Sequence, residues 1–129
     1  MGSLVAWRAE VQSSTSQSSC EAEYVALCAL ANEIAWWRLL VSEMGHTPTG
    51  PTPLLCDNEA AISLADHACR FESTKHIMLR YHVLRQYQAE KQIRAVWTPG
   101  TRQWADILTK NTNIKTFRRV VSHILGSPV

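Results

Sequence analysis

The stretch that most constrains this chain is a short apolar run followed at once by acidic, helix-favouring residues, Leu54-Leu55-Cys56-Asp57-Asn58-Glu59-Ala60-Ala61. Residues 53–56 are too few and too apolar for a helix of their own, so they predict a buried strand. Asp57 then stands at the carboxyl end of that strand, where open α/β sheets place ligands and chemistry. Two interpretations stay open: a functional carboxylate, or a cap from Asp57 or Asn58 on the helix that begins near Glu59.

The composition fits one globular domain over residues 1–129, with 46% hydrophobic and 19% charged residues. A net charge of +2 is compatible with a nucleic-acid partner but does not demand one. We see no apolar run of membrane-spanning length and no N-terminal leader, which predicts a soluble chain of the cytoplasm or nucleus with no membrane partner. The four cysteines lack metal-site spacing and are interpreted as reduced, partly buried hydrophobic residues; His67-Ala68-Cys69 has no second ligand pair.

The hydrophobic pattern predicts a single α/β unit in which strands and helices alternate. Strands are expected at 3–11, 53–56 and 92–98, and helices at 20–44, 59–66, 74–89 and 114–125, with a further helix starting at Thr98 or Thr101. Gly45 is expected to end the first helix. The side chains predicted to face the core are Tyr24, Leu27, Ile34, Trp37, Val41, Ile77, Tyr81, Leu84, Tyr87, Phe117, Val120, Val121 and Ile124.

Small and basic residues complete this pattern. Ala26, Ala29 and Ala31 permit close approach of the first helix to a sheet. In the helix at 74–89, Lys75, Arg80 and Arg85 are expected to face solvent. The tryptophans at 36, 37, 97 and 104 are expected in the core or at an interface rather than as platforms for stacked bases.

Three acidic residues stand at comparable places in this pattern. Glu23 lies early in the long helix, Asp57 ends a strand, and Asp106 lies early in a helix that follows a strand. Hard divalent cations bind carboxylate oxygens, and two such ions about 4 Å apart can clamp the attacking water and the leaving oxygen of a phosphodiester. The layout permits the three to converge but spacing alone does not establish it, and Asp106 could instead pair with Lys110 at i+4.

Five segments stand out along the chain: Ser18-Ser19-Cys20-Glu21-Ala22-Glu23-Tyr24, Leu55-Cys56-Asp57-Asn58, Thr74-Lys75-His76-Ile77, Arg80-Tyr81-His82 and Ala105-Asp106-Ile107-Leu108-Thr109-Lys110. In their order and spacing they resemble the ribonuclease H domain of copia-type retrotransposon polyproteins. The resemblance runs from about Leu4 to Leu125 and implies an RNase H-like fold, a mixed sheet flanked by helices. It also implies cutting of the RNA strand of RNA–DNA hybrids with Mg²⁺ or Mn²⁺.

The resemblance implies a catalytic and metal-binding role for Glu23, Asp57 and Asp106, with Glu21 as the alternative to Glu23. Asp57 would bridge both metals, Glu23 would hold the metal on the leaving-group side, and Asp106 would hold the metal that activates water. Contacts with nucleic acid are expected at Asn58, Lys75, His76, Arg80 and His82. A solvated helix face is the alternative for the basic residues among these and for Arg85.

The family's domain opens with two further strands, the first of which carries another metal-binding Asp, and this chain has no Asp before Asp57. We therefore expect a domain that lacks those two strands and cuts weakly. Its Asp57 strand is expected to have an exposed edge that is covered by a second copy, by a partner's strand or by a rearrangement of the chain. Smaller departures are Cys20, where Thr is usual, and Met78, where an acidic residue is usual. The alternative function is a repurposed module that binds nucleic acid or protein without cutting.

Overall fold

The computed structural model describes residues 4–12, 18–66 and 75–126, and within 75–81 the backbone alone. The chain divides into two compact units, Ser14–Gly100 and a second formed by Met1–Ser13 with Thr101–Val129. Helices and parallel strands confirm the α/β class. The elements are α1 (Ser19–Glu43), β1 (Thr52–Cys56), α2 (Glu59–Asp66), α3 (Lys75–Ala89), β2 (Ile93–Trp97), two short 3₁₀ helices (Gly100–Arg102 and Trp104–Leu108) and α4 (Ile114–Ile124).

Helix α1 begins and ends where its sequence predicts. Ser18 is extended at the N-cap, and its Oγ accepts from the Glu21 N–H at 3.1 Å, which satisfies one of the unpaired amides of the first turn. The helix ends before Gly45, whose φ of +88° lies in the left-handed region that favours glycine. The predicted helix and its glycine stop are confirmed.

Strands β1 and β2 pair in parallel, from Thr52 opposite Ile93 to Cys56 opposite Trp97. The Thr98 N–H donates to the Cys56 carbonyl at 2.8 Å and so continues the ladder. Parallel neighbours need a long crossover, which α2 and α3 supply. Within the described ranges, β2 is the only strand that pairs with β1; a second copy or partner strand on the other edge stays a prediction.

The core of the first unit lies on one face of this sheet. Leu54 and Cys56 are buried while Pro53 and Leu55 between them are exposed, as strand alternation requires. Ala26 and Ala29 of α1 are exposed, so the prediction that they allow close approach of this helix to a sheet is wrong. The core residues are Tyr24, Leu27, Cys28 and Ala31 of α1, Leu54 and Cys56 of β1, Ala61 and Ala65 of α2, Leu84 of α3 and Ile93 of β2.

Two side chains of α3 satisfy carbonyls at the end of α2. The last carbonyls of a helix have no partner within it, and here Arg85 Nη2 donates to the Leu64 carbonyl at 3.0 Å. Gln88 Nε2 donates to the Ala65 carbonyl at 3.2 Å, and Gln88 Oε1 accepts from the Ala95 N–H at 2.9 Å. The prediction that Arg85 faces solvent is therefore wrong, because this guanidinium is partly buried against α2. Lys75 and Arg80, with Ile77 and Tyr81, have side chains outside the described residues.

The second unit departs further from the sequence prediction. Residues 4–12 form no regular element, so a strand at Ser3–Val11 is wrong over the described part; the Leu4 N–H donates to the Ile124 carbonyl at 2.9 Å, and the side chains of 4–11 are exposed. Helix α4 is capped by Asn113 Oδ1, which accepts from the Thr116 N–H at 2.9 Å. Val120 is buried, but Phe117 is 47% exposed, and its predicted core position is wrong.

The tryptophans lie outside the core clusters of the described chain. Trp36, Trp97 and Trp104 are exposed, so they are not core residues, and their alternative position at an interface stays a prediction. Trp37 is partly buried; it meets Trp36 edge to face, with ring centroids 4.9 Å apart, and donates to Glu33 Oε1 at 3.2 Å.

Within the described residues, α1 has the length and apolar composition of a membrane span. This differs from the expectation, based on the sequence, that the chain has no apolar run of membrane-spanning length. Four of its side chains belong to the core described above, and core helices of globular proteins commonly meet the same criterion.

Candidate metal site

The candidate site begins at the carboxyl end of β1. Cys56 points inward with the core, so Asp57 is the first residue beyond the strand, half-buried at the sheet's edge. Asn58 Oδ1 accepts from the Ala61 N–H at 3.1 Å and caps α2. Of the two capping candidates, Asn58 therefore serves as the cap.

Glu23, Cys56 and Asp57 come together at this point. One ligand atom of each (a carboxylate oxygen, Sγ and a carboxylate oxygen) lies within 4.8 Å of the other two. Glu23 reaches the site from the second turn of α1, next to the buried Tyr24 that packs this helix into the core. Two elements far apart in sequence thus deliver two carboxylates and one thiol to the end of a parallel strand.

The segment after β2 closes one side of the site. Neighbouring parallel strands end at the same edge of a sheet, so residues 98–100 follow β2 beside Asp57. A Cβ placed on Gly100 would lie 3.4 Å from Asp57 Oδ2. Any side chain there would contact the carboxylate, so glycine leaves this oxygen accessible.

Cys56 is the one buried member of the trio. Its Sγ accepts from the Asn58 N–H at 3.4 Å and lies 3.8 Å from the Asn58 carbonyl. Burial raises the pKa of the Cys56 thiol, and the negative charges of Glu23 and Asp57 raise it further, against the opposing effect of the Asn58 backbone hydrogen bond. Without a cation the group at this position is a neutral thiol.

The carboxylates of Glu23 and Asp57 fit a hard divalent cation. In octahedral coordination at about 2.1 Å, neighbouring oxygens lie about 3 Å apart and opposite oxygens about 4.2 Å apart. The observed spread of up to 4.8 Å is close to the wider of these values, and Glu23 is the exposed member of the pair. The Cys56 sulphur does not suit such an ion, because magnesium selects oxygen ligands.

Asp106 lies in the second unit, in the 3₁₀ helix Trp104–Leu108. Lys110 Nζ lies 2.9 Å from Asp106 Oδ1, and the Lys110 N–H donates to the Asp106 carbonyl at 2.7 Å. This is the i+4 pair that the sequence left open as the alternative to a metal role.

The residues expected to contact nucleic acid are only partly described. His82 is exposed on α3, and Asn58 is engaged in the cap through its Oδ1. The side chains of Lys75, His76 and Arg80 lie outside the described residues. Glu21, the alternative to Glu23, lies two residues nearer the start of α1, about half a turn away, and is not in the trio.

Sequence reasoning missed one residue of the candidate site. The sequence indicates a core position for Cys56, although its place directly before Asp57 is a signal that its sulphur lies beside that carboxylate. In the second unit, the ring of His123 lies 3.7 Å from that of Trp104 between centroids.

Comparison with known proteins relates the chain to transposon polyproteins. It is 31% identical over 120 residues to the retrovirus-related Pol polyprotein from transposon RE1 of Arabidopsis thaliana, covering 93% of this chain and 8% of that protein. It is 32% identical over 106 residues to the retrovirus-related Pol polyprotein from transposon RE2 of the same plant, a match that covers 82% of this chain and 7% of that protein. It is 28% identical over 109 residues to the retrovirus-related Pol polyprotein from transposon TNT 1-94 of Nicotiana tabacum, a match that covers 84% of this chain and 8% of that protein.

The chain therefore spans less than a tenth of the length of the relatives it matches, and its homologues are retrovirus-related Pol polyproteins from transposons. No protein-family model matches it. No solved structure matches it either.

Proposed function

We propose that this chain is an RNase H-type endoribonuclease region of a copia-type retrotransposon polyprotein, which cleaves the RNA strand of RNA–DNA hybrids with Mg²⁺ or Mn²⁺. The observation that carries the proposal is the approach of Glu23 and Asp57 to within 4.8 Å at the carboxyl end of β1. Homology to Pol polyproteins supports it, and the resemblance of the sequence to the ribonuclease H domain of copia-type polyproteins implies metal ligands at the same two residues.

The chain's own residues have defined tasks in this proposal. Asp57, fixed by β1 and by the turn into α2, would be the rigid ligand, and Glu23, exposed on α1, would close on the ion from the other side. A bound divalent ion polarises the phosphodiester and activates a water molecule. Gly100 leaves Asp57 Oδ2 accessible, and Asn58 Nδ2 offers a neutral donor to the substrate backbone beside the carboxylates.

Asp106 is proposed as the third carboxylate, in the water-activating position that the resemblance implies. Its pairing with Lys110 is exposed on the lysine side, with a side-chain exposure of 59%. Such pairs contribute little free energy, so a cation can displace the ammonium at low cost.

The test is cleavage of an end-labelled RNA–DNA hybrid in Mg²⁺ and, separately, in Mn²⁺, with RNA and DNA duplexes as substrate controls. Asp57→Asn and Glu23→Gln keep the shape of each side chain and remove its charge, and each should lower the rate at least about 100-fold. Glu21→Gln is the matched control, since it removes an acid two residues away on the same helix, about half a turn from Glu23, and should leave the rate unchanged. Equal cleavage by the chain and by Asp57→Asn would contradict the proposal.

A non-cutting module that binds nucleic acid or protein is the second candidate. The observation that favours it is the Asp106–Lys110 pair, which occupies one of the three acids. Folded protein that binds the labelled hybrid but leaves it intact in both metals would support this candidate.

A further inference from the structure

We propose that the Glu23, Cys56 and Asp57 trio is also a site for a thiophilic divalent cation of the Zn²⁺ or Cd²⁺ class, bound by the Cys56 thiolate and the two carboxylates. The inference concerns the same site as the proposed function, but it does not depend on the cutting reaction. The Cys56 sulphur is the ligand of the trio that a magnesium site does not use.

The three ligand atoms include both sulphur and oxygen, and divalent cations differ in which of these two elements they bind. Thiolate sulphur selects zinc and similar soft or borderline ions, whereas magnesium takes oxygen alone. Two carboxylates and one thiolate satisfy three positions of a tetrahedral centre and leave the fourth for water. A zinc-class ion at this site therefore has one strong bond that magnesium cannot form.

The geometry is within reach of such a centre. Bonds of about 2.3 Å to sulphur and about 2.1 Å to oxygen in a tetrahedral arrangement place sulphur and oxygen about 3.6 Å apart. The three ligand atoms, within 4.8 Å of one another, need to close by about 1 Å. Cys56 is held in β1 and Asp57 in the turn after it, whereas Glu23 lies on the exposed surface of α1.

A second sulphur lies near the site. Cys20 is about one turn before Glu23 on α1 and packs against the core cluster that contains Cys56. It stands where the ribonuclease H resemblance has Thr, so this chain adds sulphur to the surroundings of the carboxylates.

Binding exchanges a proton for the metal. The sulphur–hydrogen bond of Cys56 breaks, a sulphur–metal bond forms with the same electron pair, and the proton passes to solvent. No oxidant or reductant is required. The ion then occupies the carboxylates that the proposed cutting reaction needs, so it would inhibit cleavage in competition with Mg²⁺.

Cd²⁺ is the probe, because its bond to a thiolate gives an ultraviolet charge-transfer band that its bonds to carboxylates do not. The full chain is titrated with CdCl₂ in a thiol-free reductant. We expect saturation at one ion per chain, with a band that is lost in Cys56→Ser. The matched control is the double variant Cys28→Ser/Cys69→Ser, which removes two thiols outside the trio and should keep the band.

The carboxylates are tested separately, in case Cys56→Ser fails to fold. Asp57→Asn and Glu23→Gln retain every thiol, and each should weaken Cd²⁺ binding at least about 10-fold, whereas Glu21→Gln should leave it unchanged. Far-ultraviolet circular dichroism verifies folding of each variant. A band that persists in folded Cys56→Ser, or Cd²⁺ affinity unchanged in both carboxylate variants, would overturn the inference.

Failure of the proposed function gives a different result. Cd²⁺ binding that needs Cys56, Glu23 and Asp57, together with no hybrid cleavage in Mg²⁺ alone, would refute the nuclease and leave the thiophilic site in place. Where cleavage does occur, Zn²⁺ should inhibit it, and this inhibition should weaken at least about 10-fold in Cys56→Ser.

Discussion

Replacing Gln88 by Met should destabilise the first unit through two backbone groups at once. Gln88 Oε1 accepts from the Ala95 N–H of β2 at 2.9 Å, and its Nε2 donates to the Ala65 carbonyl at the end of α2 at 3.2 Å. Methionine keeps most of the side-chain volume and removes both polar atoms. Ala65 is 1% exposed, so water reaches its carbonyl poorly once the amide is gone.

The size of the effect can be worked from these contacts. A buried backbone group left without a partner costs about 1–3 kcal/mol. The cost lies at the lower end of this range for both the Ala65 carbonyl and the Ala95 N–H, since α2 ends near the surface and Ala95 is only partly buried. The further contact of Gln88 Nε2 with Asp66 Oδ1, at 3.3 Å, is exposed and adds little. The expected loss is about 2 kcal/mol in the free energy of unfolding.

The assay is urea unfolding followed by far-ultraviolet circular dichroism, combined with amide hydrogen exchange at Ala95. Gln86→Met is the matched control on the same helix, because among the described residues its amide bonds the exposed Glu90 carboxylate, at 2.8 Å. That control should cost less than about 0.5 kcal/mol. The reasoning is refuted if Gln88→Met falls within the same margin, or if the Ala95 amide exchanges no faster in it than in the unchanged chain.

Three further outcomes are expected. Leu84→Ala, at a fully buried position, should cost about 2–5 kcal/mol in urea unfolding; a loss below about 1 kcal/mol would mean that Leu84 is not a core residue. Asp106→Asn should change the free energy of unfolding by less than about 0.5 kcal/mol, because its pair with Lys110 is exposed, yet abolish hybrid cleavage; unchanged cleavage would remove Asp106 from the site. Burial in the folded state raises the pKa of Cys56. The stability that this thiol contributes is therefore complete below the pKa of an unfolded thiol, about 8.5, and is lost as the pH rises from there towards the pKa in the folded state. Urea midpoints measured between pH 7 and 10 should fall less steeply with pH in Cys56→Ser than in the unchanged chain, and parallel slopes would contradict this.

Local sequence signals predicted most of the first unit. Ser18, the alanine-rich run and Gly45 are sufficient to start, propagate and end α1, since caps and propensities act within a few residues. The apolar run before Asp57 gave β1, and α2 lies at its predicted residues. Asn58 and Asp57 were equal candidates for the cap, because both residue types cap helices well and only the turn geometry distinguishes them.

The second unit was predicted less well because its pattern lacks the long-range information that decides burial. Alternating apolar residues at 3–11 satisfy the strand pattern, but a strand also needs a neighbour to receive its backbone hydrogen bonds. Among the described residues of that segment, Leu4 has such a bond and it goes to α4. Phe117 satisfies the helical period yet is exposed, because periodicity defines a face of the helix without saying what covers it.

The sequence alone determined that this chain has acids at the end of a strand and early in a helix, with the residue types a hard cation requires. Only the tertiary structure decided that Glu23, rather than Glu21, lies beside Asp57 and that the Cys56 sulphur lies next to both carboxylates. The physical reason is that ligand atoms must meet within a few ångströms. That meeting depends on how α1 packs across the end of β1 through Tyr24 and its core neighbours, a contact between segments that no local pattern in either one specifies.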